Sequence, residues 1–326
     1  MKHPIARAFL SIRDFFLTVV VVAVLAPVWL LPWRAACRLA RGYGLFAFLF
    51  WGEGRRAGII NLRRAYSNTR RGPARRSVAI VFMNLAQSIA EAMQFVRRFR
   101  TPASPWRNIY RLEDPDLAAR ILADPRAKIF ATGHFGSWEV AILLLQRTIG
   151  GGAAIARRVD NPWLNRLVKA VRLEDPSQWI EKRGGAAEAL RRLRRGENVA
   201  MLVDENGGRR GPFVDFFGRP ASTRKTPALL SLITRCPIVV GAAVRDESAR
   251  QPRFVYRLAL IEPPDSADQI LNTTAAIQKT LETWIREAPL QWRWVHWRWR
   301  TRPDGSEERY GGRELREAFA GRGTSD

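Results

Sequence analysis

Metal-binding and redox side chains are nearly missing from this chain, and their scarcity removes several classes of chemistry at the outset. Three histidines and two cysteines occur among 326 residues. Cys37 and Cys236 stand far apart, outside any ligand or Cys-x-x-Cys spacing, so neither a zinc site nor a disulfide framework is expected and a reducing compartment is implied. No cofactor is expected. No Gly-x-Ser-x-Gly run occurs, which removes the nucleophile elbow of serine hydrolases. Internal repeats are absent. Lysine is scarce too, with six residues against 48 arginines, and 30 acidic residues leave a formal net charge of +24. Arginine in this excess favours phosphate and carboxylate partners, because the guanidinium fork matches both.

What is present begins with apolar bulk. Hydrophobic residues make up 47% of the sequence, enough for one substantial core with appendages. Phe15 to Trp33 has Thr18 as its only polar side chain. As a helix it would reach about 28 Å, long enough to cross a bilayer. Pro27 and Pro32 within it, and Trp33-Arg34 where a cleavage site would need small residues, favour a retained anchor over a signal peptide. The basic load is heavier after the run (Arg34, Arg38, Arg41, Arg55, Arg56) than before it (Lys2, Arg7, Arg13), which places the body on the cytoplasmic face. Leu45 to Trp51 is too short to span and reads as core or as a face resting on the bilayer. Three parts follow: an anchor over 1–33, a body over 34–303 with a helical region to 113, and a polar, mobile tail over 304–326.

Helices are expected over 55–66 and 74–97, the second with Val78, Val81, Phe82, Leu85, Ile89 and Met93 on one face. From Asp114 onward short apolar runs alternate with helical patterns. Strands are expected at Lys128–Thr132, Gly152–Ile155, Asn198–Val203, Ile238–Val244 and Arg253–Leu260. Helices are expected at Ser137–Thr148, Pro162–Leu173, Gly185–Arg195, Pro227–Thr234 and Asn272–Glu287. This alternation predicts an α/β fold with a mixed central sheet and helices on both faces.

The best candidate for chemistry is Ala131-Thr-Gly-His-Phe-Gly-Ser-Trp-Glu139, at a strand-to-helix turn. Ser137 is expected to cap the helix, which puts Glu139 in the first turn, where the helix dipole favours its anion. There Glu139 can accept a hydrogen bond from one nitrogen of His134 and leave the other as a base. An isolated His-x4-Glu is more often structural than catalytic, so its surroundings must decide.

Further segments accompany it: Arg157-Arg-Val-Asp-Asn161 leading to Arg172, Met201-Leu-Val-Asp-Glu205, Phe213-Val-Asp-Phe-Phe-Gly-Arg-Pro-Ala221 and Pro289-Leu-Gln-Trp-Arg-Trp-Val-His-Trp-Arg-Trp-Arg300. In this order they resemble the bacterial lipid A biosynthesis acyltransferases, the lauroyl and myristoyl transferases, a family related to phosphatidylinositol mannoside acyltransferases. The resemblance implies a lysophospholipid-acyltransferase-like fold and a membrane enzyme at the bacterial inner membrane. It further implies acyl transfer from acyl carrier protein or coenzyme A to a hydroxyl of a glycolipid, most naturally a lipid A precursor. It assigns His134 as base, Glu139 as its orienting acid and Arg172, with Arg158 as alternative, as the group facing the donor carbonyl. Asp204, Phe216 and Phe217 are candidates for substrate contact. Asp204-Glu-Asn-Gly-Gly208 and Thr223-Arg-Lys-Thr226 depart from the family pattern and leave the acceptor open.

A base and an oxyanion donor acting on a thioester need no enzyme nucleophile, which fits its absence here. The expected partners, an acidic carrier protein or coenzyme and an anionic glycolipid in the membrane, suit the arginine surface, and no nucleic acid is expected. Trp292, Trp294, Trp297 and Trp299 interleaved with arginines are read as a membrane interface in preference to a nucleic-acid surface, and His296 as structural. The alternatives are a membrane-tethered basic binder of nucleic acid or anionic lipid, and an acyl hydrolase.

Overall fold

The computed structural model describes residues 4–308 except 68, 100–103, 149–151, 173–177 and 249–252, with the backbone alone for 4–11 and 171–172. Four helices lead: α1 Pro4–Leu30, α2 Trp33–Phe50, α3 Gly52–Ala65 and α4 Arg71–Arg98. The body follows as β1 Tyr110–Leu112, α5 Pro115–Ala123, β2 Ile129–Thr132, α6 Trp138–Thr148, β3 Ala153–Ala156, α7 Pro162–Arg172, β4 Trp179–Glu181, α8 Gly185–Arg194 and β5 Val199–Leu202. A hairpin, β6 Phe213–Asp215 and β7 Pro220–Ser222, precedes α9 Thr226–Thr234, β8 Ile238–Arg245, β9 Phe254–Ile261 and α10 Ile270–Glu287.

Seven strands form one sheet in the order β1-β9-β8-β2-β5-β3-β4. The sheet is parallel from β8 to β4, whereas β9 runs antiparallel to β8 and β1 follows β9. Strand alternation explains its two covers. Ile129 and Ala131 of β2 face a core shared with Leu193 of α8, Leu230 of α9 and Leu281 of α10. Phe130, between them, faces Ile121 of α5 and Leu145 of α6. A mixed sheet with helices on both faces is therefore what the chain forms.

The long apolar stretch behaves differently from a single helix ending at Trp33. Pro32 has no N–H to continue the ladder, α1 stops at Leu30, and Trp33 opens α2 as a buried residue. Within α1 the window Ile12–Leu30 is only 6% buried. The helix is nonetheless tied to the body: the Asn161 side-chain amide donates to the Asp14 carbonyl at 2.8 Å, and the Tyr43 hydroxyl donates to the Val24 carbonyl at 3.0 Å. The second apolar run closes α2 with two characters, since Phe48 points into the core whereas Phe46 and Phe50 are 63% and 73% exposed. α2 lies hard against α4 at Gly44, where any Cβ would collide with the Phe82 carbonyl.

Three further expectations are corrected. Most of the tryptophan-rich segment is core and not a membrane interface: Trp292, Trp294 and Trp299 are buried, Trp297 is half-buried on the wall of a cavity, and the side-chain amide of Asn61 on α3 clamps the segment through the carbonyls of Trp294 and His296. Residues 304–308 are not a loose tail. Thr301 bridges Glu307, and buried Glu308 pairs with Arg64 and Arg302, while 309–326 lie outside the described residues. Phe216 and Phe217 belong to the aromatic core at the β6–β7 turn. Phe217 and Gly218 both take positive φ, at 58° and 70°, as a two-residue hairpin turn of this hand requires. The Phe217 N–H is held by Glu282 at 2.9 Å, and the Arg286 guanidinium covers its ring.

Candidate functional site

β2 and β5 are parallel neighbours, and Thr132 pairs with Leu202 in their register. His134 and Asp204 each lie two residues beyond that pair, so both emerge at the carboxyl end of the sheet, where α/β folds place their ligand sites. The two side chains meet there. Imidazole Nδ1 stands 2.9 Å from Asp204 Oδ1, and the His134 backbone N–H donates to Oδ2 at 2.7 Å. The Trp292 indole also donates to Oδ2, at 2.8 Å. Gly133 allows this approach, since a Cβ at that position would lie 3.2 Å from Oδ2.

Asp204 is 3% exposed. Burial alone would raise its carboxyl, but the His134 imidazole, Arg293 and the Trp292 indole outweigh it and hold the group well below the usual carboxylate range. An ionised Asp204 is acceptor only, so Nδ1 carries the hydrogen, and in the neutral imidazole the lone pair lies on Nε2. Nε2 has no hydrogen-bond partner among the described residues, and the side chain keeps 10% of its surface open.

The loop carrying His134 is clamped on several sides. Gly136 sits at φ 61°, where a Cβ would strike the Ala243 carbonyl of β8. Its N–H donates to the Gln291 carbonyl at 3.0 Å, and its own carbonyl accepts from the Ser88 hydroxyl at 3.0 Å. Arg245, buried at the end of β8, pairs with Glu91 of α4 at 2.7 Å, bonds Ser88 and reaches the same Gly136 carbonyl. On the other side the Arg293 N–H donates to the His134 carbonyl at 3.0 Å. This buried network fixes the imidazole before any substrate arrives.

Two expectations for this turn differ from what is observed. Nδ1 is met by Asp204 and not by Glu139. The first turn of α6 carries Glu139 sideways over the sheet, where its carboxylate accepts from the Trp138 indole at 3.0 Å. Nor does Ser137 cap the helix through its side chain: its hydroxyl is buried without a hydrogen-bond partner among the described residues, and its backbone N–H donates to the Ala243 carbonyl.

Among the described residues, two large cavities flank the Trp138–Glu139 step. One, of about 520 Å³, is walled by apolar residues of α1, α4 and α7, including Leu25, Trp29, Met93 and Leu167, and reaches Glu139. The other, of about 850 Å³, has Trp138, Glu205, Arg293 and His296 on its wall. The Trp138 ring centroid is 5.4 Å from that of His134. Glu205 resists ionisation through burial, yet His134, Arg293, His296 and Lys182 bring it down to about 2. His296 is pushed down to about 4, first by burial and then by Arg293, so it is neutral at pH 7 and its Nε2 accepts the Asn206 N–H at 3.1 Å.

Of the remaining sequence candidates, Arg158 is exposed after β3 and lines neither cavity. Arg172 ends α7, whose Leu164 and Leu167 line the smaller cavity, and its side chain lies outside the described residues. Phe216 and Phe217 line neither cavity and pack on Trp292. Trp292 was missed as a site residue. The signal for Asp204 was present: like His134, it stands just past an apolar run read as a strand, directly after Val203 as His134 comes two residues after Thr132.

A family model described as bacterial lipid A biosynthesis acyltransferase matches residues 5–301. The chain is 26% identical over 306 residues to the lipid A biosynthesis lauroyltransferase of Escherichia coli (strain K12), covering 91% of this chain and 95% of that protein.

Proposed function

From the premise that this chain belongs to the bacterial lipid A biosynthesis acyltransferase family, we propose that it moves a fatty acyl group from a thioester donor to a hydroxyl of a lipid A precursor. The donor is acyl carrier protein or coenzyme A carrying the acyl chain. The observation that carries the reading is the His134–Asp204 pair, which leaves Nε2 as a fixed base beside two cavities suited to amphiphilic reactants.

In the proposed reaction Nε2 removes the proton of the acceptor hydroxyl as its oxygen attacks the thioester carbon. The tetrahedral oxyanion collapses, the C–S bond breaks, and the departing thiolate takes the proton back from the imidazolium. Asp204 holds the tautomer and stabilises the imidazolium, and Glu139, held by the Trp138 indole, borders the smaller cavity. Arg172, by family resemblance, faces the carbonyl oxygen as it gains charge. The smaller cavity takes the acyl chain, because its walls are almost entirely apolar.

An anchor role for α1 is supported by its composition and by the 6% burial of its apolar window. α4 also has the length to span, but 61% of its window is buried, which marks it as a core helix. With the arginine excess following α1, the reading is a single-pass protein of the bacterial inner membrane with its catalytic body in the cytoplasm. The test is a membrane assay of His134→Ala and Glu139→Ala. Both should lose acyl transfer while remaining folded, and retained activity in the His134 variant would sink the mechanism. Product analysis with and without a glycolipid acceptor separates transfer from hydrolysis to free fatty acid.

A further inference from the structure

The larger cavity differs in kind from the apolar one. Part of its lining is polar and charged, with Asn206, Arg224, Arg293 and Arg300 beside Glu205 and Glu307, and part is apolar, with Trp51, Phe82, Leu85 and Ile89. Resting on the acyltransferase reading above, we propose that this cavity is the acceptor's seat. The phosphorylated headgroup lies against Arg224, Arg293 and Arg300, and an acyl chain already on the acceptor lies along the α2–α4 wall.

Charge identifies the headgroup contact. Three carboxylates, Glu53, Glu205 and Glu307, line the cavity beside the three arginines. Arg293 pairs with Glu205 at 2.7 Å and Arg300 with Glu307 at 2.6 Å, whereas exposed Arg224 makes no ion pair or hydrogen bond among the described residues. Arg224 is thus the cation available to an incoming anion. Arg300 is the next, because the Glu307 side chain that holds it is 34% exposed and weakened by solvent.

Shape identifies the rest of the molecule. A water-soluble phosphate would leave the apolar wall wet, whereas a lipid covers it. The wall also continues outward. Leu45, Phe46, Leu49 and Phe50 on the closing turns of α2 are 43–73% exposed, so a chain leaving the cavity meets apolar surface on its way to the bilayer. Trp138 stands in the cavity wall with its ring centroid 5.4 Å from that of His134, so in this proposal the acceptor hydroxyl approaches the base past the Trp138 ring. The thioester then arrives from the apolar cavity that ends at Glu139.

The test uses the full-length chain in detergent micelles. Arg224→Ala should raise KM for a phosphorylated lipid A precursor about tenfold, the loss of one charge-assisted contact, and leave the donor KM unchanged. The dephosphorylated acceptor should show no difference between native and variant chains. An equal rise for both acceptors, a rise in donor KM instead, or no rise at all overturns the assignment.

A second readout needs no turnover. The His134→Ala chain is irradiated with the phosphorylated lipid carrying a diazirine in its acyl chain, and adducts should fall on residues 82–86 of α4, which line the larger cavity alone, since Ile89 borders both. Adducts on 21–30 or 164–170 instead, or none on any of these segments, sink the proposal. Adducts on 82–86 from a lipid that the native chain does not acylate would count against the acyltransferase reading and leave the binding site standing.

Discussion

Asp204 is worth more to His134 than a neutral residue of the same shape, because only the carboxylate both accepts the Nδ1 hydrogen and balances an imidazolium. Asp204→Asn should therefore lower the transfer rate by roughly 10²–10⁴ and alter the pH–rate profile, with the fold retained by circular dichroism. An unchanged profile would mean that the pair is structural. His296 gives a separate pH effect. Its folded value lies near 4 against an ordinary 6.5, so its contribution to stability is complete above 6.5 and is lost as the pH falls from there to about 4. Thermal unfolding between pH 7.5 and 5 should show a steeper loss for the native chain than for His296→Gln. At this scale the sequence disclosed His134 but gave it the wrong hydrogen-bond partner. A neighbour five residues along is visible in a motif, whereas one 70 residues away becomes a neighbour only when β2 and β5 pair.

The elements around the site are held by constraints that permit little substitution. Gly136 combines a left-handed backbone with contact on β8, so Gly136→Ala should cost both stability and activity, read as a lowered Tm together with a lowered kcat. Arg245 and Glu91 join β8 to α4 beneath the same turn, and their side chains are 7% and 3% exposed. Removing one partner leaves an uncompensated buried charge, so Arg245→Met should destabilise by about 3–5 kcal/mol in denaturant unfolding. The Arg245→Met/Glu91→Leu pair should recover part of that loss. Helix and strand spans from β2 onward were largely legible, because their periodicities are strong. β1, β4 and the β6–β7 hairpin were not, since three-residue strands carry no period of their own and depend on a partner already in place.

Over the whole molecule, α1 is tied to the catalytic body as well as being apolar outward. It hydrogen-bonds to Asn161 before α7 and to Tyr43 of α2, and it forms one wall of the smaller cavity. Deleting residues 1–30 should release the protein from the membrane fraction and also raise KM for a long-chain thioester donor. Release with an unchanged donor KM would limit α1 to anchoring. The arginine excess acts at this scale too: raising ionic strength should slow association with an acidic carrier protein more than with an uncharged short-chain thioester.

The sequence alone determined the class of sheet, the spans of its longer elements, the scarcity of metal and redox side chains and the histidine that carries the site. All of these rest on local periodicity, composition or a contiguous motif. Tertiary structure decided what those features lean on. It sent most of the tryptophan-rich segment into the core, gave Nδ1 to Asp204, turned Glu139 toward an apolar cavity and gathered Arg224, Arg293 and Arg300 into one cavity with side chains of α4. Each of these depends on which residues distant in the chain become neighbours, and that is fixed by strand order and helix packing.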